Sequence, residues 1–375
     1  MSEPLSPPLV SVVIPVFNGQ NYLREAIESV FSQTYAPVEL IVVDDGSQDA
    51  TWEIIQSYGE RLWGIRKENG GVASALNLGF EQAQGEWIAW LSHDDLFLPE
   101  KLEQQIHFVT RNPQVGVCYA DFEIVDANGG HLSVVTAPWF PPAEMPRQFI
   151  RNMYINGSTT LIRRDCWRMA GGFNERLAHT QDFDMWLRMA DYTEFGHLPK
   201  VVLKSRAHPL QGSWNFEYQL QEEQIIFCET FERLGPERFF PELAALQNSP
   251  QRAARAAAAL GDLLWQSRGW HRFARDQYAK SSRICPSLTV KLKWGLAQWM
   301  LVLLGDELLS LTHVKRARLL LGQGGQSQAR RLSGRMWLRH PVRLDALMIW
   351  LISFVPPAWF QQLKLFKRRL VALHG

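Results

Sequence analysis

At 375 residues, 46% hydrophobic and 21% charged, the chain has apolar material for more than one core and is neither a disordered tract nor a low-complexity polymer. The formal net charge of +1 conceals a division: residues 311–375 carry twelve Lys and Arg against one acid, Asp345, leaving about −10 for the rest. The scattered Cys118, Cys166, Cys228 and Cys285 exclude a CxxC-type zinc or redox site and predict free thiols in a reducing compartment. Glu3 and the prolines at positions 4, 7 and 8 do not read as an export signal, so a cytoplasmic location is expected.

Leu9–Pro15 is a continuous apolar run that predicts a buried strand closed by Pro15, followed by an Asn18-Gly19 turn. Tyr22, Leu23, Ala26, Ile27 and Val30 recur at helical spacing over Asn21–Phe31, and Val38–Val43 is a second buried strand. The alternation continues with a helix near Asp49–Tyr58, a strand near Leu62–Arg66, a helix over Gly71–Ala83, a strand at Glu86–Leu91, a helix at Pro99–Thr110 and a strand at Val115–Asp121. Strands without polar alternation need cover on both faces, so the expected fold is α/β with a mostly parallel central sheet. The Pro-rich stretch Pro138–Pro146 predicts a loop, Met153–Arg163 a strand and Phe216–Leu234 a helix.

Beyond Gly235 the pattern changes. Arg252–Leu264 and a second helix through Ala279, stopped by Pro286, predict a helical hairpin. The expected division is a catalytic domain over 1–235, a helical hairpin region over 236–310 and a basic amphipathic tail over 311–375. Trp294–Gly305 is too short to span a bilayer. Leu344–Phe360 carries Asp345 and Pro356-Pro357, and with the basic run Lys364–Arg369 it predicts an interfacial helix on an anionic membrane surface, against the alternatives of core packing or a homodimer contact.

Polar residues collect where the strands end, the edge at which open α/β sheets bind ligands. Asp44, Asp45 and Asp49 follow the second strand. Asp49 is placed to cap the next helix and Asp45 to form the turn, while Asp44 is placed to accept hydrogen bonds from a base or ribose. Asn69-Gly70-Gly71 before a helix is a candidate anion cradle. Ser92-His93-Asp94-Asp95 sets two adjacent acids at a strand end, where a hard divalent cation with oxygen ligands would offset their repulsion. Asp182 and Asp184 begin a helix; one can cap it or pair with Arg188, leaving the other to take a proton. A lone His such as His208 is more often structural than a ligand.

Together, Val12–Gly19, Val43–Asp49, Arg66–Gly71, Asn77, Trp90–Asp95, Gly171-Gly172-Phe173, Gln181-Asp182 with Trp186 and Arg188, and Arg206-Ala207-His208 resemble, in order, the motifs of the family 2 glycosyltransferases with the GT-A fold, of the bacterial cell-surface polysaccharide type. The resemblance implies an inverting, metal-assisted transfer from a nucleotide sugar, UDP- or dTDP-linked, to a hydroxyl of a glycan or lipid-linked acceptor. It implies that Pro15, Val16, Asn18, Asp44, Asp45, Arg66, Asn69, Gly70, Asn77 and Asp94 lie at the donor nucleotide, that Asp94 and His208 hold Mn²⁺ or Mg²⁺, that Asp182 is the base, and that Gln181, Trp186 and Arg188 shape the acceptor site. Ser92 replaces the first acid of the family's Asp-x-Asp pattern, Gln181 stands where Glu is common, and Leu76 replaces an Arg often seen before Asn77. A nicotinamide oxidoreductase is excluded by the absence of a G-x-G-x-x-G turn after the first strand. No nucleic-acid partner is expected, because the basic tail lacks spaced zinc ligands or another recognition pattern. A nucleotide-sugar-binding protein without turnover is the remaining rival.

Overall fold

The computed structural model describes residues 6–151, 154–208, 216–243, 250–266, 271–287, 290–291, 293–295 and 297. They fall into two compact units, one ending at Pro241 and the other beginning at Glu242. The first unit runs β1 (Val10–Val16), α1 (Leu23–Phe31), β2 (Val38–Asp44), α2 (Thr51–Gln56), β3 (Trp63–Arg66), α3 (Val72–Gln82), β4 (Trp87–Trp90), β5 (Leu96–Phe97) and α4 (Lys101–Arg111). It continues with β6 (Val115–Val125), β7 (His131–Val135), α5 (Met145–Arg151), β8 (Leu161–Arg163), α6 (Arg164–Ala170), α7 (Gln181–Met189), β9 (Glu194–Arg206), α8 (Phe216–Leu234) and α9 (Pro236–Phe239).

The strands form one nine-stranded sheet in the order β3-β2-β1-β4-β8-β6-β9-β5, with β7 on β6. β1 is parallel to β2 and β4, β2 to β3, and β6 to β9; β8 is the antiparallel strand between β4 and β6. This is the mostly parallel α/β sheet expected for a GT-A domain. Alternation along each strand sends side chains to two cores. Val13, Ile41, Val43, Ile88 and Trp90 pack with Ala75, Leu76 and Phe80 of α3, whereas Val12, Ile14, Val42 and Ala89 pack with Leu23, Ala26 and Ile27 of α1 and Leu102 and Ile106 of α4. Gly79 lets α3 approach β1 closely, since a Cβ there would lie 2.4 Å from Val13 Cγ1.

Three local expectations need correction. β1 does not stop at Pro15 but runs to Val16, with Pro15 in parallel register with Val43. Of the strand expected over Met153–Arg163, only Leu161–Arg163 is a strand among the described residues; Asn156 accepts the Ser158 N–H at 2.9 Å and starts a 3₁₀ turn over Gly157–Thr159. The Pro-rich loop gives way to helix at Met145.

In the second unit α10 (Pro250–Gln266) and α11 (His271–Ile284) pair as a hairpin. Gly261 faces the Tyr278 ring, and Asp262 accepts from the Tyr278 hydroxyl at 2.9 Å and from Lys293 at 2.7 Å. No helix among the described residues is long and apolar enough to cross a membrane. The basic tail 311–375 and its interfacial helix Leu344–Phe360 lie outside the described residues, as does most of Trp294–Gly305.

Lys101 on α4 is buried, an unusual place for an ammonium. Its Nζ donates to Gln105 Oε1 at 2.6 Å and to the Thr160 carbonyl at 3.2 Å, 4.2 Å from the Phe97 ring centre, while Gln105 Nε2 donates to the Thr159 carbonyl at 2.7 Å. These bonds fasten the turn carrying Ser158 to α4. Burial pushes the ammonium down to about 7. Between about pH 7 and the unfolded value of about 10.4 the folded chain therefore binds fewer protons than the unfolded one. The resulting stability is fully present above the unfolded value and is lost as pH falls through about 7. Urea unfolding at pH 7.5 and 9 should show wild type gaining on Lys101→Met by roughly 1 kcal/mol per pH unit. Parallel pH dependences would mean that Lys101 stays charged in the fold.

Candidate active site

The carboxyl ends of β1 and β2 are laced together. Asp45 N–H donates to the Val16 carbonyl at 2.8 Å, Asn18 N–H to Ser47 Oγ at 2.8 Å, and Gln48 N–H to Asn18 Oδ1 at 2.9 Å. Asn18 holds a left-handed φ of 52°, which Asn tolerates better than most residues, so its side chain serves the turn. Asp44, the last residue of β2, is fully buried. Its Oδ1 accepts the Ser47 N–H at 2.9 Å, whereas Oδ2, ion-paired with Arg66 Nε at 3.2 Å, makes no hydrogen bond among the described residues. A buried carboxylate oxygen without a donor is costly and marks a place for a ligand N–H or hydroxyl. The half-exposed Arg66 side chain covers it, its Nη2 donating to the Ser47 carbonyl at 2.8 Å.

The anion cradle at the start of α3 holds an anion from within the chain. Gly70 and Gly71 N–H groups donate to the Asp45 carboxylate at 2.9 and 2.8 Å, and Lys67 Nζ donates to it at 2.7 Å. Asp45 thus fastens β2 to α3. Gly46 makes the approach possible: its φ is 79°, and a Cβ would sit 2.9 Å from Asn69 N. Asn77, expected at the donor, spends its side-chain amide on the loop after α6: Nδ2 donates to the Phe173 carbonyl and to Glu175, each at 2.9 Å, and Oδ1 accepts the Phe173 N–H at 2.7 Å.

After β4, Asp94 and Asp95 are both buried but differ in partners. Asp94 Oδ2 lies 2.9 Å from His208 Nε2. Burial alone would raise the Asp94 carboxyl, but the His208 hydrogen bond and the charges of His93 and His208 hold it below its ordinary range. Burial and the neighbouring Asp94 charge push Asp95 up to about 8, against the Arg206 N–H and the hydroxyls of Ser158 and Ser205. The repulsion expected of two adjacent acids is thereby relieved, one acid staying ionised beside an imidazole and the other holding its proton. Burial lowers the His93 imidazole, which packs against Gly19.

Arg206, for which the sequence suggested no role, organises this corner. Its buried guanidinium donates to the Asp94 carbonyl at 3.1 Å, the Ala127 carbonyl at 2.8 Å and Glu25 at 2.7 Å, and lies 4.5 Å over the Tyr22 ring; its backbone N–H donates to Asp95 at 3.0 Å. Tyr22 in turn packs on His208, ring centres 5.2 Å apart. Ser158 joins from the other side, its hydroxyl accepting the Ser92 N–H at 3.0 Å.

At the start of α7 the two acids divide. Asp184 is the one bound to Arg188, at 2.6 and 2.9 Å, and Arg188 also donates to the carbonyls of Ala170 and Gly172. Asp182 makes no ion pair among the described residues; its Oδ1 accepts the Phe183 N–H at 2.8 Å. Burial pushes its carboxyl up to about 6, against the opposing effect of that N–H. Gln181 is buried with Oε1 unpartnered among the described residues. Trp186 is fully buried, edge-on to Phe195.

Residues 11–168 match Glycosyl transferase family 2. The chain is 37% identical over 236 residues to an uncharacterized glycosyltransferase of Rickettsia typhi, covering 60% of this chain and 73% of that one. The chain belongs to glycosyl transferase family 2. A Rickettsia felis glycosyltransferase is 34% identical over 254 residues, 65% of this chain but 41% of its own length, so the chain spans about two fifths of that relative. Among solved structures it is similar to a Pyrobaculum calidifontis mannosyltransferase in complex with GDP-Man and Mn²⁺, at 18% identity and TM-score 0.49, covering 80% of this chain and 81% of that one.

Family 2 membership implies a divalent metal, and the donor set can be tested for it. Asp94 and His208 come from distant parts of the sequence, face each other at 2.9 Å, and supply one oxygen and one nitrogen. Among the described residues no group of three His, Cys, Asp or Glu side chains could hold an ion. Two protein ligands fit a cation that takes its remaining oxygens from water and from the diphosphate of a bound donor.

Arg188→Met should cost on the order of 3 kcal/mol in urea unfolding, because the largely buried Asp184 carboxylate and two carbonyls lose their partner. Arg188→Lys should recover little of the loss, since one ammonium cannot span the same oxygens. Wild-type stability in Arg188→Met would show the pair to be dispensable.

Proposed function

We propose that this family 2 chain is an inverting glycosyltransferase that uses a nucleotide-diphosphate sugar, UDP- or dTDP-linked, to glycosylate a hydroxyl of a glycan or lipid-linked acceptor. The observation that carries the reading is the division at α7. Of two acids in one helical turn, Asp184 is locked to Arg188 while Asp182 has an oxygen without a partner among the described residues and a carboxyl raised to about 6, a value suited to a base working near neutrality. Support on the donor side comes from Asp44 Oδ2, which makes no hydrogen bond among the described residues and would accept from the base or ribose, and from the Asp94–His208 pair.

In the proposed reaction Asp182 takes the proton from the acceptor hydroxyl as its oxygen attacks the anomeric carbon. The bond from that carbon to the diphosphate oxygen breaks with its electron pair leaving on the nucleoside diphosphate, and the configuration inverts. A divalent cation, when bound, neutralises charge on the departing diphosphate. Asp94 and His208 would hold it, and the buried Arg206 would keep the Asp94 main chain in place.

Asp182→Asn keeps the size of the side chain but cannot take a proton, so nucleoside diphosphate release with acceptor present should fall ~10²–10⁴-fold while donor affinity changes little. In wild type, kcat/KM should fall about tenfold per pH unit below about pH 6, as the raised carboxyl protonates. Turnover of Asp182→Asn within threefold of wild type would put the base elsewhere.

Metal use is tested separately, by calorimetric titration of nucleoside diphosphate with and without Mn²⁺. Asp94→Ala should remove most of the metal enhancement seen in wild type, and His208→Ala should weaken it. Equal enhancement in wild type and Asp94→Ala would remove Asp94 from the metal site.

A further inference from the structure

Glu222 on α8 reaches back to the segment that carries Asp182. Its Oε1 accepts the Ala178 N–H at 2.9 Å, and its Oε2 accepts the His179 N–H at 3.0 Å and the Thr180 hydroxyl at 2.8 Å. Thr180 is the N-cap of α7, yet its side chain makes no cap bond to the helix; its hydroxyl donates to Glu222 instead. The entry to α7 is therefore held from outside, by three hydrogen bonds to one carboxylate, each charge-assisted and stronger than a neutral one.

That entry fixes the direction of the base. Asp182 sits in the first turn of α7, and one of its oxygens is spent on the Phe183 N–H. Where the other oxygen points is then set by the backbone of residues 180–183, which continues directly from the three groups that Glu222 holds. Glu222 is not among the causes of the raised Asp182 carboxyl, which are burial and nearby backbone N–H groups. Its influence is mechanical. Resting on the assignment of Asp182 as the base, we propose that Glu222 is a positioning residue for Asp182, a carboxylate on α8 that sets the orientation of the base through residues 178–180. A misplacement of about 1 Å in such a group can cost ~10²-fold in rate, so the effect falls on turnover and not on donor binding, which lies at Asp44 and Asp94.

The test uses the full chain with Glu222→Ala and the milder Glu222→Gln. The glutamine retains one acceptor oxygen but turns an amide N–H₂ toward a second donor, a milder loss that keeps the test readable even if the alanine variant fails to fold. Steady-state release of nucleoside diphosphate is followed from pH 5 to 9, with donor affinity measured alongside. Both variants should lose at least tenfold in kcat, keep donor affinity within twofold, and show the acid limb of kcat displaced from its wild-type position. Amide exchange at Ala178 and His179 should accelerate. In an Asp182→Asn background Glu222→Gln should lower the residual rate less than twofold, because there is no base left to orient; the same fold-loss in both backgrounds would mark a general structural role and overturn the proposal. An unaltered kcat and acid limb in Glu222→Gln beside an inactive Asp182→Asn would also overturn it while leaving the base assignment intact. Full activity in Asp182→Asn would remove both.

Discussion

Burying one guanidinium imposes the geometry of the corner that carries Asp94 and His208. Arg206 is almost fully buried at the end of β9, and desolvating such a charge costs several kcal/mol unless its donors are satisfied. The partners come from everywhere in the first unit: Glu25 from α1, the Asp94 carbonyl from the turn after β4, the Ala127 carbonyl from the turn between β6 and β7, and the Tyr22 ring beneath. None can shift without exposing an unpaired cation. Because His208 follows two residues later, the same constraint brings its imidazole opposite Asp94.

Around that corner the acids sort by whether the fold has already used them. Asp45 is consumed by Lys67 and two glycine amides, Asp184 by Arg188, and Asp95 by a retained proton and the Arg206 N–H. These are spent on holding the fold together. Asp44, Asp94 and Asp182 are less fully engaged: among the described residues Asp44 Oδ2 makes no hydrogen bond and has only the half-exposed Arg66 beside it, Asp94 faces the His208 imidazole, and Asp182 has no cation beside it. The carboxylates that the sheet edge leaves unspent are those a nucleotide, a cation and an acceptor hydroxyl would engage in the proposed reaction.

The sheet was legible because β1, β2 and β4 are buried on both faces and so read as unbroken apolar runs, and because α1 shows its face at helical spacing. The elements that escaped are those whose formation is decided elsewhere. β7 is an exposed strand with no apolar alternation to announce it, and β9, which contains Pro199, gains its order by pairing along β6. At the site the sequence marked which acids would stand at strand ends and that one of Asp182 and Asp184 would pair with Arg188. It could not show that the Asn69–Gly71 cradle would be filled by Asp45, that Asn77 would be absorbed by Phe173, or that Glu222 would hold the entry to α7. Each of those contacts closes a loop of more than twenty residues, and local pattern carries no information about such partners.

The filled cradle bears on how this chain would manage the charge of a diphosphate. A helix N-terminus with free amides commonly takes a phosphate, its dipole presenting about half a positive charge. At α3 those amides and the nearest ammonium, Lys67, already face the Asp45 carboxylate. A phosphate brought there would meet a buried anion, and displacing Asp45 would unfasten β2 from α3. Arg66 is the neighbouring cation with an exposed side chain, but its Nη2 is tied to Ser47 and its Nε lies against Asp44. Within the proposed reaction, these two cations are therefore already engaged and not free to meet the leaving diphosphate. A cation seated on Asp94 and His208 would supply positive charge at a buried carboxylate whose partner is an imidazole.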